Sequence, residues 1–233
     1  MLSLLITGAA GFVGGNLAVA AASRWQTYLT CHRSPVVANG AHVVGPLDLA
    51  DRDHVEHVIR QVKPAVIVHA ASLSGIDPCE ANPERAWQIN VGGTKNIAAA
   101  ARRWRSRLVY LSTDLVFDGR KDGRTPIHVK NLCDVLLECA ARPDLQGVLH
   151  VAGPQRMSRM DFGRQICDSL GLDRELLIPT TFQNSSADGR RPADCALDCS
   201  KARSVLATPI WDTVQGLREM LMQGSNFRSD LLQ

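Results

Sequence analysis

Residues 7–17 read TGAAGFVGGNL and follow directly on the apolar run Leu2-Ser3-Leu4-Leu5-Ile6. A buried strand, a glycine turn and the start of a helix meet there. Gly8, Gly11 and Gly14 fall at G-x-x-G-x-x-G spacing, and each has its own physical task. Gly8 allows a tight turn off the strand. Gly11 lets a pyrophosphate approach the backbone with no Cβ in the way, and Gly14 lets the helix pack close. The helix N-terminus adds free N–H groups and the positive end of the dipole. With the strand before it and the helix after it, the spacing predicts a dinucleotide-binding turn.

The first half of the chain alternates strand and helix as such a turn requires. Strands are expected at 3–7, 28–31 and 42–44, the last leading to Leu47-Asp48-Leu49 as a further strand or an exit loop. Helices are expected at 12–24 and from the Asp51 cap to about Val62, where Pro64 stops the second. Residues 65–69 (AVIVH) form an unbroken apolar strand, as a sheet covered on both faces demands. Asn82 caps a helix with Pro83 at its first position, running to about Arg103. Residues 107–112 (RLVYLS) are the next buried strand. The parallel crossovers place the ligand crevice at the carboxyl ends of the strands, in the loops after Ile6, Cys31, Val68 and Ser112.

The second half is less regular. Helices are expected at 129–141, from Ser158 to Gly171, and at 211–222, with a short strand at 147–151 (GVLHV) and a polar loop at 180–194. The fold class is therefore α/β, a doubly wound parallel sheet of Rossmann type with a small C-terminal lobe. Residues 1–126 make the dinucleotide-binding part and 127–233 the C-terminal, substrate-side part of one continuous unit.

Composition excludes several functions. A hydrophobic share of 45% over 233 residues builds a sizeable core, and a net charge of +3 is too small to argue for nucleic acid. The cluster Arg102, Arg103, Arg105 and Arg107 closes a helix, where cations offset the dipole. Seven cysteines lie scattered without a C-x-x-C pair, which fits reduced thiols. His54 and His57 share a helix face but lack a third ligand nearby, so no metal is expected. Leu2–Ile6 is too short for a membrane or signal segment. A cytoplasmic protein with no membrane partner is expected, and a homo-oligomer is allowed.

Candidate chemistry collects at the same sheet edge. Arg33 follows the second strand in Cys31-His32-Arg33-Ser34, where a domain that prefers NAD usually places an acid. An arginine there suits a 2′-phosphate, hence NADP, or else is a solvated surface residue. Asp48 is either an adenine contact or a helix-start residue. Ala70-Ala71-Ser72 leave room for a cofactor or simply pack closely. A hydroxyl among Ser112 and Thr113, beside Asp114, either bonds a substrate carbonyl or caps the strand end. Gly92 and Gly93 lie inside a helix, where each costs about 1 kcal/mol against alanine, so the close approach of a neighbouring helix is expected.

The segments TGAAGFVGGNL, LDLAD, VIVHAAS, NPERAWQINVGGTKNIA and RLVYLSTDLVFDG, in that order, resemble the extended short-chain dehydrogenase/reductases. Within them the likeness is to the dTDP-4-dehydrorhamnose reductases, whose usual form has Tyr where Leu115 stands. RTPIHVKNLCDVLLECA, GVLHVAGPQRMSRMDFGRQI and RRPADCALD resemble the C-terminal sections of that group. The resemblance implies NADP, with NAD as the alternative, and a nucleotide-sugar substrate. By it Gly8, Gly11, Phe12 and Val13, beside Gly14, bind the pyrophosphate. Asp48 and Leu49 flank the adenine, and Ala70, Ala71 and Ser72 line the nicotinamide side. Thr113 is the active-site hydroxyl, Asp114 lies beside the substrate, and Arg190 and Arg191 belong to the section that approaches the nucleotide-sugar.

One departure matters more than the match. The family runs from VFDG through a long segment carrying a Tyr-x-x-x-Lys pair before it reaches RTPIHV. Here Asp118-Gly119 is followed almost at once by Arg124-Thr125-Pro126, and the only tyrosines are Tyr28 and Tyr110, with His32 and Asp114 four residues on. The tyrosine gives a proton to the sugar carbonyl, and the lysine ammonium lowers its pKa from about 10 toward working pH. Without the pair, Thr113 alone supplies no proton at a useful rate. Three readings of the junction stay open: an internal deletion, a segment of a longer protein outside this sequence, or a replacement group elsewhere. The same group of reductases is also resembled by the regulatory β subunit of methionine adenosyltransferase, so a non-catalytic binding role is the alternative function.

Overall fold

A computed structural model describes residues 1–36, 40–116, 123–179 and 194–230. Five parallel strands form one sheet in the order β3-β2-β1-β4-β5. The strands are β1 (Ser3–Thr7), β2 (Gln26–Cys31), β3 (Ala41–Pro46), β4 (Val66–His69) and β5 (Arg107–Tyr110). The order reverses at β1, which pairs with β2 on one side and β4 on the other. Leu4, Leu5 and Ile6 are all fully buried. Successive side chains of a strand face opposite sides. Burial of all three therefore means that both faces of the sheet are covered, as the unbroken apolar run foretold.

The helices of this half are α1 (Phe12–Ala21), α2 (Arg52–Val62), α3 (Ile76–Ala81), α4 (Pro83–Ala86) and α5 (Thr94–Arg103), with a π-helical stretch at Trp87–Gly93 between the last two. Asp51 caps α2 by accepting from the Asp53 and His54 N–H groups, and Lys63 closes it in the left-handed region at φ 45°. Val55, Ile59 and Ile97 pack with Leu5 and Ile67 into one core cluster between the sheet and the pair α2/α5. On α1, Leu17, Ala18 and Ala21 are buried.

The described chain forms two compact units, Met1–Ser112 with Cys133–Gln146, and Thr113–Leu132 with Gly147–Gln233. In the first, Arg107 of β5 donates to the carbonyls of Cys139, at 3.0 Å, and Leu145, at 2.6 Å. It thereby satisfies groups left over where α6 (Val129–Ala141) ends. In the second, Ser158 caps α7 (Arg159–Leu170), accepting from the Asp161 N–H, and Gly171 ends it at φ 65°. α8 (Ser200–Val205) and α9 (Thr213–Asp230) follow. The buried Asn131 side chain accepts from the Trp211 N–H and donates to the Pro209 carbonyl, tying the segment before α9 to α6.

Three expectations are corrected and one alternative is decided. Residues 147–151 form no strand; Val148 is 73% exposed, and its carbonyl takes a hydrogen bond from Lys201 Nζ rather than from a neighbouring strand. Of the two readings of Leu47–Leu49 the exit loop is the one that holds, since β3 ends at Pro46. β5 lies at the edge of the sheet and is only partly buried. Gly93 is approached not by a helix but by that exit loop: a Cβ on it would stand 2.7 Å from Leu49 Cβ, whereas one on Gly92 would meet nothing nearer than 3.9 Å.

Candidate functional site

The glycine turn is built backbone against backbone. Gly8 sits at φ +73°, a conformation that a side chain disfavours, and a Cβ there would lie 2.7 Å from the Ala71 Cα and N. A Cβ on Gly14 would lie 2.2 Å from the Gly8 oxygen, so the helix packs against the turn itself rather than farther down the strand. The Gly11 N–H donates to the Gly8 carbonyl at 2.9 Å, and the Ala9 N–H to the Thr30 carbonyl of β2 at 3.0 Å. Gly11 stands at the N-cap of α1, where no side chain caps the helix. No side chain caps the first-turn N–H groups at Phe12, Val13 and Gly14, which is the condition for an anion site at a helix start. Phe12 is 76% exposed beside them.

The other expected cofactor residues lie in the first unit. Ala70 and Ala71 follow β4 directly and touch Gly8; Ser72 next to them is exposed. Asp48 Oδ1 accepts from the Ala50 N–H at 2.9 Å, which is the local role weighed against an adenine contact. Leu49 is buried, and its carbonyl accepts from Asn96 Nδ2. Arg33 is exposed in the bend after β2. In the second unit, Thr113 is exposed and opens the short 3-10 turn Asp114–Val116, accepting from the Leu115 N–H at 3.2 Å and donating to Asp114 Oδ1 at 3.4 Å. Arg190 and Arg191 lie outside the described residues.

One cluster escaped the sequence reading. His69 ends β4 opposite Thr7 of β1 and is fully buried. Its Nδ1 lies 2.7 Å from Thr7 Oγ1 and its Nε2 3.3 Å from Thr94 Oγ1. Burial pulls the imidazole pKa down to about 4. The Tyr110 ring stacks over it with centroids 5.6 Å apart. A signal was present: a histidine closing an all-apolar strand needs buried polar partners, and Thr7 ends the neighbouring strand.

All seven cysteines are free thiols, and burial pushes Cys133 up to about 12. Among the described residues no group of three His, Cys, Asp or Glu side chains is placed to hold a metal, and no helix is long and apolar enough to cross a membrane. A cavity of about 320 Å³ in the second unit is lined by Thr125, Arg156, Asp194 and Arg203 among others, and there Arg156 is paired with Asp194 at 2.8 Å.

The chain matches the family described as RmlD substrate binding domain over residues 2–125 and again over 122–225. The two matches meet at 122–125, where VFDG runs into RTPIHV. The chain is 36% identical to the dTDP-4-dehydrorhamnose reductase of Aggregatibacter actinomycetemcomitans over 129 residues, which is 53% of this chain but only 39% of that protein. It is 25% identical to Methionine adenosyltransferase 2 subunit beta of Mus musculus over 283 aligned positions, covering 87% of this chain and 82% of that protein. Those positions outnumber the 233 residues here, so the relative carries material that this chain lacks. A crystal structure of dTDP-4-dehydrorhamnose reductase from Bacillus anthracis str. Ames, in complex with NADP, shares the fold at a TM-score of 0.82 and 18% identity, covering 96% of this chain and 100% of that one. The Rossmann-type parallel sheet, the glycine turn at its switch point and the two-part match together make this chain a member of the RmlD substrate binding domain family.

Proposed function

We propose that the chain is an NADP-binding protein of the dTDP-4-dehydrorhamnose reductase type, which reduces a nucleotide-linked 4-keto-sugar poorly or not at all. The observation that carries the reading is the Gly8–Gly14 turn, whose positive φ, absence of space for a Cβ and uncapped helix start fit a pyrophosphate. Gly8, Gly11, Phe12, Val13 and Gly14 hold that group. Asp48 and Leu49 flank the adenine, and Ala70, Ala71 and Ser72 leave room for the nicotinamide. Arg33 meets the 2′-phosphate of NADP, with NAD as the alternative. Thr113 donates a hydrogen bond to a substrate carbonyl, with Asp114, Arg190 and Arg191 on the nucleotide-sugar side. The bound cofactor supplies hydride; the proton is what this chain's own residues are short of.

That shortage follows from the sequence junction. General acid catalysis typically contributes 10²–10⁴-fold, and a threonine hydroxyl with no Tyr-x-x-x-Lys beside it replaces little of this. A second reading draws on the long match to the methionine adenosyltransferase 2 β subunit: a non-catalytic regulatory role. NADPH titration followed by an NADPH-oxidation assay with a dTDP-4-keto-6-deoxy sugar tests both. Binding with turnover far below the usual enzyme range of about 1–10³ s⁻¹ is expected. Turnover within that range refutes the crippled-reductase reading, and a chain that does not bind NADPH refutes the cofactor assignment. Altered kinetics of a methionine adenosyltransferase catalytic subunit on addition of this chain favours the regulatory role.

A further inference from the structure

The hydrogen bonds around His69 run in one direction. The Thr94 hydroxyl donates its proton to the Asn90 carbonyl at 2.6 Å, so only its lone pairs face the imidazole. His69 Nε2 must then carry the hydrogen, and Nδ1 accepts from the Thr7 hydroxyl. Thr7 Oγ1 in turn accepts the Ala71 N–H at 3.4 Å. The same Asn90 clamps the far end of the loop, its Oδ1 accepting the Leu73 N–H at 2.8 Å and its Nδ2 donating to the Leu73 carbonyl at 3.0 Å. Only Ser72 lies between the two anchored residues, Ala71 and Leu73. Ala71 itself presses on Gly8 so closely that no Cβ fits between them.

We propose that His69 is a positioning residue: held as the neutral Nε2–H tautomer, it ties Thr7 to Thr94 and so sets the Ala70–Leu73 loop against the glycine turn, giving the nicotinamide half of the cofactor a preformed seat. The proposal rests on the cofactor reading above. Burial without a carboxylate partner keeps the ring uncharged, and a neutral ring alone offers one donor and one acceptor on opposite sides. The relay joins β1, β4 and, through Thr94, the start of α5, three elements far apart in sequence. It therefore fixes the loop to the scaffold rather than to itself. Asn90, within the π-helical stretch Trp87–Gly93, bonds the loop at Leu73, and Thr94, just beyond that stretch, bonds His69.

The test separates the two halves of the cofactor. NADPH and 2′,5′-ADP, which lacks the nicotinamide, are titrated against the full chain and against His69→Gln and Thr94→Val. The expected result is a loss of about 5- to 10-fold for NADPH, what one ordinary hydrogen bond is worth in affinity, with 2′,5′-ADP unchanged. Equal losses for both probes, or none for either, overturn the proposal. If His69→Gln does not fold, Thr94→Val decides by the same comparison, because it keeps its size and loses only the hydroxyl that meets His69 and the Asn90 carbonyl. Imidazole 15N NMR of the unaltered chain provides a second readout, and an Nδ1–H tautomer overturns the proposal whatever the affinities. An unaltered chain that binds neither probe refutes the cofactor reading, and this proposal falls with it.

Discussion

Replacing Gly14 by alanine tests the glycine turn where its packing is tightest. The added Cβ would stand 2.2 Å from the Gly8 oxygen and 2.7 Å from the Gly8 carbonyl carbon, against the 3.4 Å at which ordinary contact begins. More than an ångström must open between α1 and the turn, and both sides of the gap are backbone. Overpacking of this kind costs about 1–3 kcal/mol, and a rigid neighbour puts the cost at the upper end. Opening the gap also strains the Gly11 N–H to Gly8 carbonyl bond, worth about 1 kcal/mol. Alanine returns about 1 kcal/mol of helix propensity. The net loss is about 3 kcal/mol, or some 6–12 °C in Tm for a chain of this size. Thermal unfolding followed by circular dichroism reads it directly. Gly92→Ala is the matched control, because its Cβ would meet nothing within 3.9 Å and the same propensity gain stands unopposed. If Gly14→Ala and Gly92→Ala melt alike, the tight backbone packing is not what this turn depends on.

Three further outcomes are expected. Gly11→Val, with its Cβ already 3.2 Å from the Gly8 oxygen, abolishes NADPH binding in a protein that still folds, and a fluorescence titration that finds the unaltered affinity removes the turn from the cofactor site. Arg33→Ala weakens NADP by about 1.5–3 kcal/mol, the worth of a charge-assisted hydrogen bond, and leaves NAD nearly untouched; equal effects make Arg33 a surface residue. Because His69 has its pKa lowered from 6.5 to about 4 in the folded state, the unfolded chain binds the extra proton between those values, so stability rises with pH through that window. The gain reaches up to about 3 kcal/mol by pH 6.5, and His69→Gln flattens the urea-unfolding profile there; a profile unchanged by the substitution shows that His69 is not the group responsible.

The parts of the molecule that a local pattern dictates were readable in the chain. The run Leu4–Ile6, the spacing of Gly8, Gly11 and Gly14, and the capping side chains Asp51, Asn82 and Ser158 each act within a few residues, and the elements stand where those signals put them. What tertiary pairing decides was not readable. Residues 147–151 have the composition of a strand but, among the described residues, no strand pairs with them. α3 hides behind Pro78, which sits in its first turn and reads as a loop residue. The π-helical stretch shares its residue preferences with an ordinary helix. The glycine turn could be proposed as a cofactor site from spacing alone, whereas the His69 relay joins residues 7, 69 and 94, which the register of β1 against β4 and the placement of α5 bring together.

The position of β1 has a consequence for synthesis. The central strand of the sheet is the earliest of the five to be made, and the neighbours that flank it arrive in two instalments, β2 at once and β4 only after Val66. At roughly 5–20 residues per second the ribosome leaves Leu4–Ile6 with one open edge for several seconds. An apolar strand in that condition is a template for pairing with another nascent chain. Until β4 is translated, the safeguard lies in α1, whose Leu17, Ala18 and Ala21 can shield one face of the run while its second edge waits.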